Sequence, residues 1–188
     1  MVGVSHAHGR RHSFFQLPIA LLLCVSSASI PSALAQDPPH PQALTVTEEL
    51  TPLIRSLFAA IERLSDYRAT KSVPPVFQLP QHLIEEEVCD EPCNVQAAYV
   101  PREGIYLSGN LDPEREPTDR AALLHELVHY LQQGHPKYAA MAPCERERTK
   151  EQEAFAIQNA YLATLGVRER VVFYDGEFEC NGDRGVEP

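Results

Sequence analysis

The chain has 188 residues, and its 26 aspartates and glutamates outnumber its 16 lysines and arginines, so its formal net charge at pH 7 is −10. This acidic balance argues against nucleic acid and against anionic membrane surfaces as partners. The length predicts one domain with a hydrophobic core of its own and leaves no room for a second.

Residues 1–35 have the pattern of a secretory signal peptide. Arg10 and Arg11 form a positively charged start, the apolar run "FFQLPIALLLCVSSASI" follows, and Ala33 and Ala35 are the small residues of a cleavage site. A membrane anchor is the alternative, but the run contains Pro18 and is short for a span. We therefore predict an exported protein, periplasmic or secreted, that keeps no stable membrane insertion after the signal is removed.

Residues 36–46 contain three prolines and no periodicity, and we expect a flexible lead-in to a single domain over residues 47–188. Residues 47–68 follow with apolar side chains at steps of three and four, which predicts an amphipathic helix. A short strand is expected at Val76–Leu79. The acidic stretch "EEEVCDE" that comes after it is expected to be solvated.

The second half of the chain predicts a hairpin and two helices. The β-prone runs at residues 95–100 and 105–108 flank "PREG", which favours a β-hairpin. One helix is predicted through "RAALLHELVHYLQQ" to near Gly134, and another through "ERERTKEQEAFAIQNAYLATLG" to Gly166. These elements predict an α+β fold with an N-terminal helix, a short mixed or antiparallel sheet and a second long helix near the C-terminus.

Four cysteines follow the predicted signal peptide, namely Cys89, Cys93, Cys144 and Cys180. An even number in an exported chain indicates two disulfides, and three pairings are possible. We favour Cys89–Cys93, which closes a short loop, and Cys144–Cys180, which ties the C-terminal region to the segment before the last helix. A zinc site of four cysteines is the rival interpretation, but the last two are too far apart in sequence for a close pair.

The stretch "ALLHELVHYLQQGHP" at residues 122–136 contains the chemistry of the chain. His125 and His129 are four residues apart, so both imidazoles project from the same face of a helix, and Glu126 can reach a metal-bound water without ligating the metal. The surrounding residues are apolar, and burying two histidines and an acid there without partners would cost several kcal/mol. A bound cation removes that cost, so we predict a metal site.

Residues 119–134 resemble the active-site helix of the zincin superfamily of metallopeptidases, and the resemblance covers roughly residues 95–165. It implies a small zincin-like domain with Zn²⁺ as cofactor and a peptide or protein as substrate. In that superfamily an extended peptide docks on the edge strand that precedes the helix. The corresponding piece here is "GIYLSGN", residues 104–110.

The two branches of the superfamily differ in the third ligand. The metzincin pattern HExxHxxGxxH places a histidine at His135, but Gln132 stands where that pattern has its turn glycine. The gluzincin pattern takes a glutamate from the next helix, and "QEAF" matches it at Glu153. We favour Glu153 as the third ligand, with His135, Glu147 and Glu151 as the alternatives.

The resemblance implies metal-assisted hydrolysis with Glu126 as general base. Tyr161 and His135 are candidates for stabilising the oxyanion or binding the substrate. The alternative is a non-catalytic zinc-binding, structural or protein-interaction domain on the same fold. The intact Glu126 argues against that alternative, because a purely structural metal site needs no base.

Overall fold

A computed structural model describes residues 44–69, 72–89, 93–173 and 180. The predicted signal peptide and residues 36–43 of the predicted lead-in lie outside this part of the chain. The elements in chain order are β1 (Leu44–Thr45), α1 (Thr47–Leu64), β2 (Val76–Leu79), α2 (Gln81–Val88), β3 (Ala97–Val100), β4 (Gly104–Ser108), α3 (Pro117–Gln132), a 3-10 helix (Pro136–Tyr138) and α4 (Pro143–Thr164). The predicted α+β class is confirmed.

The four strands form one mixed sheet in the order β1-β2-β4-β3. Strands β2 and β4 run parallel, while β1 pairs with β2 and β3 pairs with β4 in the antiparallel sense. The predicted hairpin is confirmed as β3 and β4. Its turn requires Gly104, which has φ +145° and whose backbone lies so close to Pro75 that an added Cβ would be 2.4 Å from the carbonyl oxygen.

The structure corrects the expected position of the edge strand. The piece "GIYLSGN" forms β4, which lies between β2 and β3, and all five of its strand residues are buried. The two edges of the sheet are formed by β1 and by β3, the strand that pairs with β4 in the hairpin. A strand that is apolar at consecutive positions is typical of the inside of a sheet covered on both faces, which explains why β4 lies there.

Helices cover both faces of the sheet. Alternate strand residues point to opposite sides, so Ile105 and Leu107 of β4 pack with α1, α3 and α4, while Tyr106 packs with α2. Within the described ranges, no helix combines the length and the apolar character needed to cross a membrane. The layer formed by α1, α3 and α4 contains the larger part of the core and, on α3, the buried polar residues His125 and Glu126.

Besides the 3-10 helix, two elements were missing from the predictions. The first part of the acidic stretch, residues 85–88, belongs to α2, which buries Leu83, Ile84 and Val88 under the sheet. Glu86 and Glu87 are exposed as expected, but on the outer face of an amphipathic helix. Residues 44–45, expected in the lead-in, pair with β2 as β1.

Both predicted disulfides are present. Cys89 and Cys93 are joined just after α2, and Cys144 at the start of α4 is joined to Cys180. The sequence separations are 4 and 36 residues, so the second bond closes a much longer loop in the unfolded chain. A longer closed loop removes more conformational entropy from the unfolded state.

We expect the two disulfides to differ in their effect on stability. Loop-closure entropy predicts that replacing Cys144 and Cys180 with serine lowers the free energy of unfolding by about 4 kcal/mol, against about 2 kcal/mol for Cys89 and Cys93. Urea denaturation of the two double variants, beside the oxidised parent, measures this difference. Equal or reversed losses would contradict it.

Candidate metal centre

Helix α3 is enclosed on most of its circumference. It begins with Pro117, whose missing amide hydrogen costs nothing in a first turn, and it ends at Gln132, two residues before Gly134 with φ +69°. Residues 121–128 are buried without interruption, because α1, β3 and α4 all pack against this helix. The polar side chains His125 and Glu126 are therefore held away from solvent.

Two histidines of α3 and one glutamate of α4 converge on a single point. The Nε2 atoms of His125 and His129 lie 2.9 Å apart, and the carboxylate oxygens of Glu151 lie 3.3 Å from the first and 3.0 Å from the second. Donors bonded to Zn²⁺ at about 2.0 Å in a tetrahedron are about 3.3 Å apart. The three residues thus have the spacing and the ligand chemistry that a small divalent cation requires.

Two buried glutamines contact the imidazole rings. The Nδ1 atom of His125 lies 3.0 Å from Oε1 of Gln158, and the Nδ1 atom of His129 lies 2.8 Å from Oε1 of Gln132. An amide oxygen can only accept a hydrogen bond, so each ring donates from Nδ1 and presents the lone pair of Nε2 when it is neutral. The sequence predicted no contact between either glutamine and a histidine.

The charges of the three residues depend on one another. Burial raises the pKa of Glu151, but His129 and His125 outweigh this effect and hold that pKa well below its ordinary value. Burial likewise lowers the pKa of His129, but the carboxylate of Glu151 more than compensates and raises it to about 9. In the absence of a cation the carboxylate of Glu151 is therefore ionised at neutral pH, and a proton on His129 balances its charge.

Glu126 lies beside this group, and only 2 % of its surface is exposed. Its Oε2 accepts a hydrogen bond of 2.7 Å from the backbone amide of Tyr99 in β3. Burial raises the pKa of its carboxyl group, while the charges of His125 and His129 act in the opposite direction. The predicted base is thus attached to the edge strand of the sheet and next to the two histidines.

The structure places Glu151, and not the expected Glu153, beside the two histidines. Glu151 contacts the two histidines. Glu153 instead accepts hydrogen bonds of 2.5 Å from Tyr67 and 2.7 Å from Tyr138, and it forms an ion pair of 2.6 Å with Lys137. Two residues correspond to about 200° around a helix, so the two glutamates lie on nearly opposite sides of α4. These contacts hold the pKa of Glu153 below its ordinary value even though burial acts to raise it.

The two other predicted side chains lie outside this group. His135 follows the turn at Gly134, and its ring packs edge-on against Tyr67 and Tyr138, with centroid distances of 5.5 and 6.1 Å. Its Nδ1 accepts the backbone amide of Lys137 at 3.4 Å. Tyr161 is buried in the core that the helices share. A role in substrate binding or oxyanion stabilisation stays a prediction for both.

The fold and the site together define an α+β protein with a buried His–His–Glu group that could hold a metal ion. No curated protein and no solved structure matches the chain significantly. A family model described as "Domain of unknown function (DUF6647)" matches residues 46–182, and the chain belongs to that family. The match begins just before α1 and includes all three residues of the candidate metal centre.

Proposed function

We propose that this protein is an exported zinc-dependent hydrolase that cleaves peptide bonds. The observation that supports this most is the position of Glu126 next to His125, His129 and Glu151, because three ligands and an adjacent base are the components of a catalytic zinc site. The two disulfides are consistent with export to an oxidising compartment.

The residues divide the work of hydrolysis between them. His125, His129 and Glu151 would hold zinc, which when bound supplies a Lewis acid for the amide carbonyl and lowers the pKa of a water molecule. Glu126 would accept a proton from the water molecule while the oxygen of the water forms a bond to the carbonyl carbon. Glu126 then returns the proton to the amine nitrogen as the carbon–nitrogen bond breaks.

The burial of the site favours a second candidate, a zinc domain that binds a partner without catalysis. The side chains of His125 and Glu151 are 1 % and 3 % exposed and that of His129 is 13 % exposed, so a substrate has access chiefly from the side of His129. A structural zinc site is closed in the same way. In this candidate the ion would join α3 to α4, and Glu126 would serve only as a partner for the Tyr99 amide.

Zinc dependence tests the proposal directly. We expect the mature chain to contain about one zinc per molecule, to cleave members of a mixed peptide library, and to lose cleavage after prolonged dialysis against a chelator. Mass spectrometry of the peptides and metal analysis of the protein measure both properties. Recovery of cleavage after one equivalent of zinc is the control for irreversible damage.

The outcomes separate the two candidates. A protein that binds zinc, unfolds more readily without it and cleaves no peptide would support the partner-binding domain and refute the hydrolase. A protein that cleaves peptides equally well with and without metal would refute both. Cleavage that follows zinc content would support the hydrolase.

A further inference from the structure

Two glutamines contact the imidazole rings of the proposed histidine ligands. They lie on α3 and α4, the same two helices that provide the proposed ligands. Gln132 is the last residue of α3 and lies three positions after His129, while Gln158 lies on α4 seven positions, or two turns, after Glu151. Their relative exposures are 1 % and 2 %, so water has little access to replace them. Each helix therefore contributes a ligand and also an orienting side chain.

The orientation of the Gln132 amide follows from its second contact. Its Nε2 donates to the backbone carbonyl of Lys150 at 3.0 Å, and a carbonyl oxygen can only accept. Rotating the amide by 180° would place its oxygen against that carbonyl and its NH₂ group against the ring of His129. The oxygen consequently faces Nδ1 of His129, and the proton of the neutral ring lies on Nδ1.

Both glutamines are neutral, and this has an effect on the metal. A carboxylate in the same position would make the imidazole a stronger donor and would add a negative charge near the ion. Because the two glutamines are neutral, Glu151 is the only proposed ligand that would offset the charge of a bound divalent ion. The histidines would then donate less electron density, and the ion would remain a stronger Lewis acid.

We propose that Gln158 and Gln132 are positioning residues that hold His125 and His129 in the Nδ1–H tautomer, so that both Nε2 atoms are available to a divalent cation. This inference rests on the metal site of the proposed function. It adds two residues that touch neither the ion nor the substrate. Replacing either amide by an apolar side chain of similar size would release its ring and weaken metal binding.

Gln158 is the better residue for a test, because Gln132 also bonds to Lys150 and its loss would disturb the contact between the two helices. We expect Gln158→Leu to weaken zinc binding by about 10–100-fold. Gln158→Glu should restore wild-type affinity or exceed it, since a carboxylate oxygen also accepts from Nδ1 of His125. Competition with a chromophoric chelator measures the dissociation constants.

A matched control and a second measurement separate positioning from folding. Gln78→Leu removes a part-buried amide that donates to the carbonyl of Leu111 at 3.2 Å, away from the metal centre, and should leave zinc affinity unchanged. Nitrogen-15 NMR of the zinc-loaded protein reports whether Nδ1 of His125 carries a proton and how fast that proton exchanges with water. We expect a slowly exchanging Nδ1–H in the parent and in Gln158→Glu, and faster exchange in Gln158→Leu, because the acceptor at 3.0 Å is lost.

Two results would overturn the inference. The first is a Gln158→Leu protein that binds zinc as tightly as the Gln78→Leu control, and the second is a zinc-loaded parent protein without a proton on Nδ1 of His125. If Gln158→Leu does not fold, the parent spectrum and the affinity of Gln158→Glu decide. These measurements do not depend on hydrolysis. A protein that binds zinc but cleaves no peptide would therefore refute the proposed function and leave the positioning role intact. A protein that cleaves peptides and gives either of the two results above would refute only the positioning role.

Discussion

Replacing Glu126 with glutamine is expected to reduce peptide hydrolysis by about 10²–10⁴-fold while zinc remains bound. The amide keeps the shape of the side chain, and its oxygen can still accept the hydrogen bond from the Tyr99 amide. It cannot take a proton from water at neutral pH, so only the proton transfer is lost. Rates of peptide cleavage and zinc content, measured on the same preparation, test the expectation.

The matched control for this variant is Glu103→Gln. Glu103 accepts a hydrogen bond of 2.8 Å from the hydroxyl of Tyr106 at the hairpin and takes no part in the metal centre. The same chemical change there should leave cleavage close to that of the parent. Cleavage at the parental rate in Glu126→Gln would rule out the assignment of this residue as the base, whatever the metal content.

The second large effect is expected at Glu151, and Glu153 provides a comparison on the same helix. Glu151→Gln removes the negative charge of the proposed ligand. Loss of a residue that only hydrogen-bonds a metal ligand weakens metal binding by about 10–100-fold, and we expect a larger loss of zinc affinity here. Glu153→Gln should leave zinc affinity near that of the parent. It should instead lower the free energy of unfolding by about 1–2 kcal/mol, because the ion pair with Lys137 is lost and the hydrogen bonds from Tyr67 and Tyr138 no longer go to a charged oxygen.

Zinc titration and urea denaturation of the two variants distinguish a ligand from a structural carboxylate. The pair is well matched, since both positions lie in one helix and undergo one isosteric change. A reversed pattern, in which Glu153→Gln loses zinc and Glu151→Gln retains it, would restore the ligand set expected from the sequence. Equal losses in both variants would indicate a general disturbance of α4.

The components of the site that lie within one helix could be predicted from the sequence. The spacing of His125 and His129 and the apolar residues around them depend only on the geometry of α3. The side of α4 that faces α3 depends on tertiary packing, and an apolar pattern alone indicated the wrong side, with Glu153 at its start. The contacts of Glu151 and Glu153 in the structure show the difference.

A signal for the correct side was nevertheless present. The buried residues of α4 follow steps of three and four when two polar members are included; they are Glu151, Ala154, Phe155, Ile157, Gln158, Tyr161 and Leu162. Both polar members of this stripe contact a histidine of α3. A buried polar residue that continues an apolar stripe therefore marks the functional side of the helix.

The sheet shows a similar division. Strand β2 and the hairpin were predicted because their patterns are local, but the order of strands was not, because pairing of β2 with β4 joins segments that are distant in the chain. The sequence signal for the central position of β4 was its run of consecutive apolar residues, Ile105, Tyr106 and Leu107. Helix α2 was overlooked because three consecutive glutamates obscured its apolar side.

The limited exposure of the metal centre has a consequence for the rate at which an ion would be exchanged. His129 is the most exposed of the three proposed ligands, and the side chains of the other two are almost completely covered. An ion held there could leave from the side of His129 or when α3 and α4 separate locally, so its release would be slower than from a site open to solvent on several sides. Metal acquired during folding would then stay with the molecule through purification, and the ion found would reflect the compartment in which the chain folded.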